Sequence, residues 1–292
     1  MGTMILAQVV NGVCWGLILS LLALGLTIIY GMLNILNFAH GAIYALGIYL
    51  SYTLVYFLKI PYISSFWAAL VIIPIVVGLL GLVMEKFLIR PILNEKHEYQ
   101  LLLTFSILLI LQESIAIIWG TMPRPFNCPQ SLVGIVDFGF MVYPIYRLFT
   151  IGITLVIVFT LWVFIEKTRL GAIIRSGIED SEMTACMGIN ISVVRNLTFG
   201  LGIALAALSG VLSAPITGTL RPLMGMTHLI TCFVIVAVGG LGSFGGAIIG
   251  GILVGTMKSL MVIIEPKASE LVMFILMAVI LLVRPRGLFG KR

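Results

Sequence analysis

The chain has 292 residues, of which 61% are hydrophobic and only 10% charged, with a formal net charge of +6. Soluble domains average about 25% charged residues, and no Lys, Arg, Asp or Glu precedes Lys59, so a water-soluble fold is excluded in favour of a chain that crosses a membrane several times. The positive balance belongs to basic anchors at membrane edges and carries no nucleic-acid signal. An apolar solvent requires internally satisfied backbone groups, so the spans are helices. The alternating pattern of an outer-membrane barrel is absent. The N-terminus shows no basic leader region and no small-x-small cleavage site, so no signal peptide is expected.

Nine apolar runs approach the roughly 20 residues that a span needs: 4–30, 41–58, 62–84, 99–119, 149–165, 197–216, 227–241, 246–264 and 269–283. The first is about 40 Å long as a straight helix at roughly 1.5 Å per residue, which predicts a tilt or a break at Gly25 or Gly31. The run 227–241 is short, so eight or nine spans are expected. The fold class is an all-α polytopic membrane protein with broken or re-entrant segments, one membrane domain over residues 1–292. Three connections, 85–98, 166–196 and 284–292, hold 11 of the 17 Lys and Arg residues. Alternation of nine spans puts all three on one side, which the positive-inside tendency makes cytoplasmic. The N-terminus and the proline-rich segment 120–148 then lie outside. Cys14, Cys128, Cys186 and Cys232 are scattered and imply no disulfide framework.

After the first run comes the polar patch NILNFAHG, with Asn34, Asn37 and His40 at the break and Gly41 behind them. Two amides and an imidazole at membrane depth are costly unless they meet partners or water. Broken helices expose N–H ends that suit carboxylates and C=O ends that suit ammonium groups, and an amino-acid zwitterion carries both. Two readings stand: a substrate pathway, or side chains that cap the break. In the fourth run, Gln112 and Glu113 fit an interfacial or helix-pairing role better than a proton relay, because no basic partner accompanies them. His228 and Lys258 lie near helix ends, where snorkelling accounts for them.

The segment GGLGSFGG holds G-x-G-x-x-G at Gly240, Gly242 and Gly245. A dinucleotide site needs a soluble βαβ unit, and every neighbour here is a span. The glycines read instead as close helix packing or as an unwound turn beside the pathway. Gly246/Gly250 and Gly251/Gly255 are pairs at packing spacing. The stretch HGAIYALG from His40 echoes GGAIIGGI from Gly245, as an internal repeat with a pathway at its interface would. No G-x-x-x-x-G-K-[ST] phosphate loop occurs, no His/Cys cluster has metal spacing, and no nucleophile–base set is readable. No catalytic role and no cofactor on this chain are expected.

Residues 166–196 form a polar island with four acids and four bases between long apolar runs. Within it, 180–187 reads as a short amphipathic helix. Met183, Cys186 and Met187 share one face, Glu179, Asp180 and Glu182 crowd the N-terminal end where the dipole favours acids, and Gly188 stands at the C-terminal cap position. A helix lying on the lipid interface is usually basic on its polar face; this one is acidic, which favours insertion into a partner's groove.

The stretches GLTIIYGMLNILNFAHGAIYALGIYL, EDSEMTACMGIN, LTFGLGIALAALSGVLSA, VGGLGSFGGAIIGGILVG and the terminal RPRGLFG resemble, in order and over nearly the whole chain, the permeases of bacterial branched-chain amino acid ABC importers. The likeness is to the shorter of their two permease types. It implies a multi-pass inner-membrane subunit that pairs with a second, related permease, two cytoplasmic ATPases that bind the ATP, and a periplasmic binding protein. It also makes the polar island a cytoplasmic coupling loop, carried by Glu179, Asp180, Met183 and Gly188, with Met187 on the same ridge. Glu182-Met183-Thr184 departs from the Glu-Ala-Ala seen in many ABC permeases. The same family includes permeases for urea and short amides.

Overall fold

All nine apolar runs fold as helices, and the polar island supplies two more. The structure, a computed structural model, describes residues 2–57, 62–139 and 142–290; Lys59 and the last two residues of the tail lie outside that set. In chain order the helices are α1 (Gly2–Leu33), α2 (Ala39–Tyr56), α3 (Tyr62–Met84), α4 (His97–Trp119), α5 (Ile145–Lys167), α6 (Arg169–Glu179), α7 (Ser181–Cys186), α8 (Ile191–Thr217), α9 (Met224–Gly239), α10 (Phe244–Ile264) and α11 (Ser269–Val283). Among the described residues, seven helical stretches are long and apolar enough to cross a membrane. The two that fall short are the 16-residue α9 and α2, which carries His40 and four tyrosines. The molecule is an all-α polytopic membrane protein.

Helix α1 is apolar all round, and such a helix belongs at the centre of a bundle. Most of it is buried, as is most of α8. Helices α1 and α8 run antiparallel: the Ser209 hydroxyl donates to the Ile18 carbonyl at 2.8 Å, and a turn or two further on Gly25 meets Gly202. A Cβ built on Gly25 would lie 2.4 Å from the Gly202 carbonyl oxygen, and one on Gly202 would lie 2.6 Å from that of Gly25. Helices α2 and α9 meet in the same reciprocal way, Gly41 and Gly225 each 2.4 Å from the other's oxygen by the same construction. Outside this centre α1 packs on α10, Gly12 and Gly16 against Gly255 and Gly251, while α8 packs on α3, Gly200 and Ala204 against Gly78. Helix α4 lies on α2 as α11 lies on α9.

These pairings describe two four-helix units, α1–α4 and α8–α11, in opposite orientation, with α5–α7 between them. The equivalent of α2 is therefore α9. The echo between the stretches from His40 and Gly245 joins α2 to α10 instead. Both stretches are rich in small residues because both helices need close neighbours, and that shared need produced the likeness. The two packing pairs on α10 serve different neighbours: Gly246 and Gly250 face α9, whereas Gly251 and Gly255 face α1.

At the far end of α9 the tail doubles back. The Leu288 and Phe289 amides donate to the Val238 and Gly239 carbonyls at 2.9 and 3.0 Å, satisfying groups that a helix C-terminus leaves open. Gly240 turns the chain there at φ 102°, beyond the reach of most side chains.

Candidate functional site

The polar break runs from exposed Asn34 at the end of α1 to buried Asn37 and His40. Asn34 ends α1 in the left-handed region at φ 55°, its amide donating to the Tyr30 carbonyl at 2.8 Å, a cap that asparagine tolerates better than most residues. The chain then climbs back along α1. His40 donates through Nε2 to the Leu22 carbonyl at 2.9 Å. Leu22 stands eleven residues before the end of α1, about 16 Å of helix rise, so α2 starts well inside the bundle. Asn37 caps it, Oδ1 accepting from the Ala39 amide at 3.1 Å. Asn37 is 1% exposed and His40 0%, yet Asn37 Nδ2 and His40 Nδ1 find no hydrogen-bond partner among the described residues. Gly41 packs on Gly225, so the N-termini of α2 and α9 lie side by side. Gly240 turns against the tail, where a Cβ would come within 2.5 Å of the Gly290 nitrogen; Gly242 and Gly245 have open space around their Cα atoms.

The polar island builds the opposite feature, an exposed surface. Asp180 caps α7, its carboxylate accepting from the Glu182 and Met183 amides at 3.0 and 2.9 Å, and Gly188 closes the helix at φ 81°. Glu179 ends α6 on the exposed side. Met183 is 63% exposed and Met187 78%, with Cys186 exposed beside them; Thr184 turns inward. Sequence reasoning missed α6. Its apolar positions Leu170, Ile173, Ile174 and Ile178 keep helical spacing, but the loop draws attention for its charges. Helix α6 is what reaches the bundle: Gly177 lies on Met32, where a Cβ would meet the methyl at 2.9 Å, and Ile178 lies on Gly31. Both contacts are in the last turn of α1, next to Asn34. A second missed feature is Glu85, a fully buried acid that holds Arg90 at 2.7 Å and accepts from the Asn196 amide at 2.6 Å. It ties the end of α3 to α8.

At the other end of the bundle, α1, α5, α9 and α10 enclose a cavity of about 450 Å³. Gln8, Asn11, Trp15 and Leu19 line it from α1, with Arg147, His228 and Lys258 around them. His228 also borders a neighbouring cavity of about 660 Å³ that contains Arg221 and loop residues Thr121 and Pro123. The sequence places His228 and Lys258 near helix ends with snorkelling head groups. In the fold α9 begins inside the bundle, so His228 is held among rings, 6.1 Å from Trp15 and 4.8 Å from Tyr44 between centroids. Leu19 on the cavity wall is one turn from Leu22, the acceptor of His40. His40 therefore meets α1 one turn from the cavity wall. Glu113 is exposed on the outer face of α4.

A model of the family described as branched-chain amino acid transport system, permease component, matches residues 8–283. The high-affinity branched-chain amino acid transport system permease protein LivH of Salmonella typhimurium is 30% identical, aligning with 98% of this chain and 96% of its own length. The permease protein BraD of Pseudomonas aeruginosa, whose name describes the same kind of system, is 30% identical over 98% of this chain and 96% of its own. Among solved structures, PsaBC from Streptococcus pneumoniae in complex with Fab aligns with 96% of this chain and 88% of that chain, at 16% identity and a TM-score of 0.44.

Proposed function

This chain belongs to the family of permease components of branched-chain amino acid transport systems, and on that premise we propose that it forms half of the membrane pathway of an ABC importer. The cargo is leucine, isoleucine, valine or a similar small amino acid, and the membrane is a bacterial inner membrane. The other half is a second, related permease. A periplasmic binding protein delivers the solute at the end of the bundle where α1 starts, and two cytoplasmic ATPases bind the ATP and grip α7. No reaction is catalysed on this chain.

One observation carries the mechanism: α6, joined to α7 through the single extended residue Asp180, rests on Gly31 and Met32 at the very end of α1. Two residues later the chain breaks at Asn34. Movement of α7 in the closing ATPases is passed through α6 to the break, where Asn37 and His40 each keep a nitrogen free for a solute or water. The His40–Leu22 hydrogen bond is then the closure under the cavity, and alternating access consists in breaking and remaking it.

Two measurements test the reading. Uptake into proteoliposomes should need ATP and the partner ATPases; uptake driven by a proton gradient without them would contradict it, and uptake of urea in place of leucine would remove the substrate assignment. Met183→Asp puts a charge on the exposed ridge, and burying an unpaired charge costs several kcal/mol. The ATPases should no longer co-purify, while the chain still inserts because no span is altered.

A further inference from the structure

We propose that the cavity between α1, α5, α9 and α10 is a recognition site for a small carboxylate with an aliphatic body, with Arg147 and Lys258 holding the carboxylate. The walls contain both cations and no Asp or Glu. The acid paired with Lys258 is Glu270, loosely placed at 3.9 Å, 62% exposed and outside the cavity lining. Arg147 is held in place by one donor to the Asn11 side-chain oxygen, which also accepts from the Tyr143 hydroxyl at 3.0 Å. The Arg147 guanidinium is also a hydrogen-bond neighbour of the Tyr143 hydroxyl, and Arg147 and His228 both line the cavity.

Two half-buried cations in a wall that holds no acid, one of them paired only with the exposed Glu270 outside it, favour an anion between them, through charge-assisted hydrogen bonds stronger than neutral ones. The rest of the wall decides which anion. Trp15 and Val262 present apolar surface over buried Leu19 and Val254, which an inorganic anion leaves unused and an aliphatic side chain covers. The volume of about 450 Å³ falls within the roughly 300–1,000 Å³ of small-molecule pockets. With no acid in the wall, an ammonium group on the same ligand stays toward the mouth. The chemistry of the site stands on these residues alone; only the choice of leucine as a probe rests on the proposed function.

The test uses the purified full chain in mild detergent, with Cys14, Cys128, Cys186 and Cys232 replaced and a single reporter introduced as Gln8→Cys or, independently, Val262→Cys. An anionic methanethiosulfonate reagent should label the reporter about tenfold faster than a cationic one, because a cleft lined by one sign of charge concentrates the opposite ion. Leucine and its deaminated analogue isocaproate, at about ten times their Kd, should slow labelling about tenfold by occupancy. Leucinamide, which lacks the carboxylate, should not. Arg147→Gln and Lys258→Gln should abolish both the anion preference and the protection. Equal protection by leucinamide, or protection that survives both substitutions, overturns the site. Failure of every compound to protect, with leucine uptake by the assembled transporter intact, overturns the site and leaves the function standing. Protection by isocaproate but not by leucine keeps the carboxylate site and removes the amino-acid reading.

Discussion

Asn37 and His40 each bury a side-chain nitrogen without a partner among the described residues. Leaving a buried donor or acceptor unsatisfied costs about 1–3 kcal/mol, a cost that a second conformation offering a partner would relieve. In a cysteine-free background, Asn37→Cys and His40→Cys should therefore resist a small membrane-permeant thiol reagent at rest and react once nucleotide is trapped on the ATPases. Labelling in neither state, with transport intact, would make both residues structural caps. The native cysteines give a second check. Burial raises the pKa of the Cys128 thiol, which lowers its thiolate fraction at neutral pH. A maleimide should modify exposed Cys186 first and Cys128 several-fold more slowly, the gap narrowing as the pH rises, and docked ATPases should shield Cys186. The polarity of Asn37 and His40 is legible in the sequence because it interrupts an oily run. Their relation to Leu22 is not, since it depends on how deep α2 begins. Arg147 escapes notice for a related reason: beside Pro144 a cation reads as an ordinary edge anchor, and only the fold sets it over Asn11.

Among the elements, α7 is the most completely legible. Its acid cap, its methionine ridge and its terminal glycine are all local signals, and each appears where the spacing puts it. The junction of α3 and α8 is the opposite case, because Glu85 and Asn196 are far apart in the chain and neither carries a pattern. Its energetics are asymmetric. Arg90→Ala strands a carboxylate that is 0% exposed, a loss of about 3 kcal/mol by analogy with broken buried pairs. Glu85→Ala leaves Arg90, 36% exposed, free to turn to water or lipid headgroups, and should cost distinctly less. Thermal unfolding in detergent compares them, and equal losses would show that the carboxylate can reach solvent.

For the whole molecule, composition and run length suffice to read a helical membrane bundle, and the arrangement of its two inverted units is hidden because helices at this depth share one small-residue vocabulary. The units meet through glycine. Gly25→Ala puts a methyl 2.4 Å from the Gly202 carbonyl oxygen and should destabilise by about 1–3 kcal/mol, as overpacking does. Gly152→Ala on α5, with nothing within 4 Å, should be neutral or slightly stabilising in the same unfolding measurement. The packing of α1 on α10 also sets a timetable. From Leu33 to Phe244 the ribosome adds about 210 residues, roughly 10–40 s at about 5–20 residues per second. Throughout that interval the central helix is already in the membrane while the glycine face meant for α10 has only lipid against it. A ribosome that stalls before α10 leaves an unfinished chain with its middle open, displaying to quality-control proteases a surface that the completed protein buries.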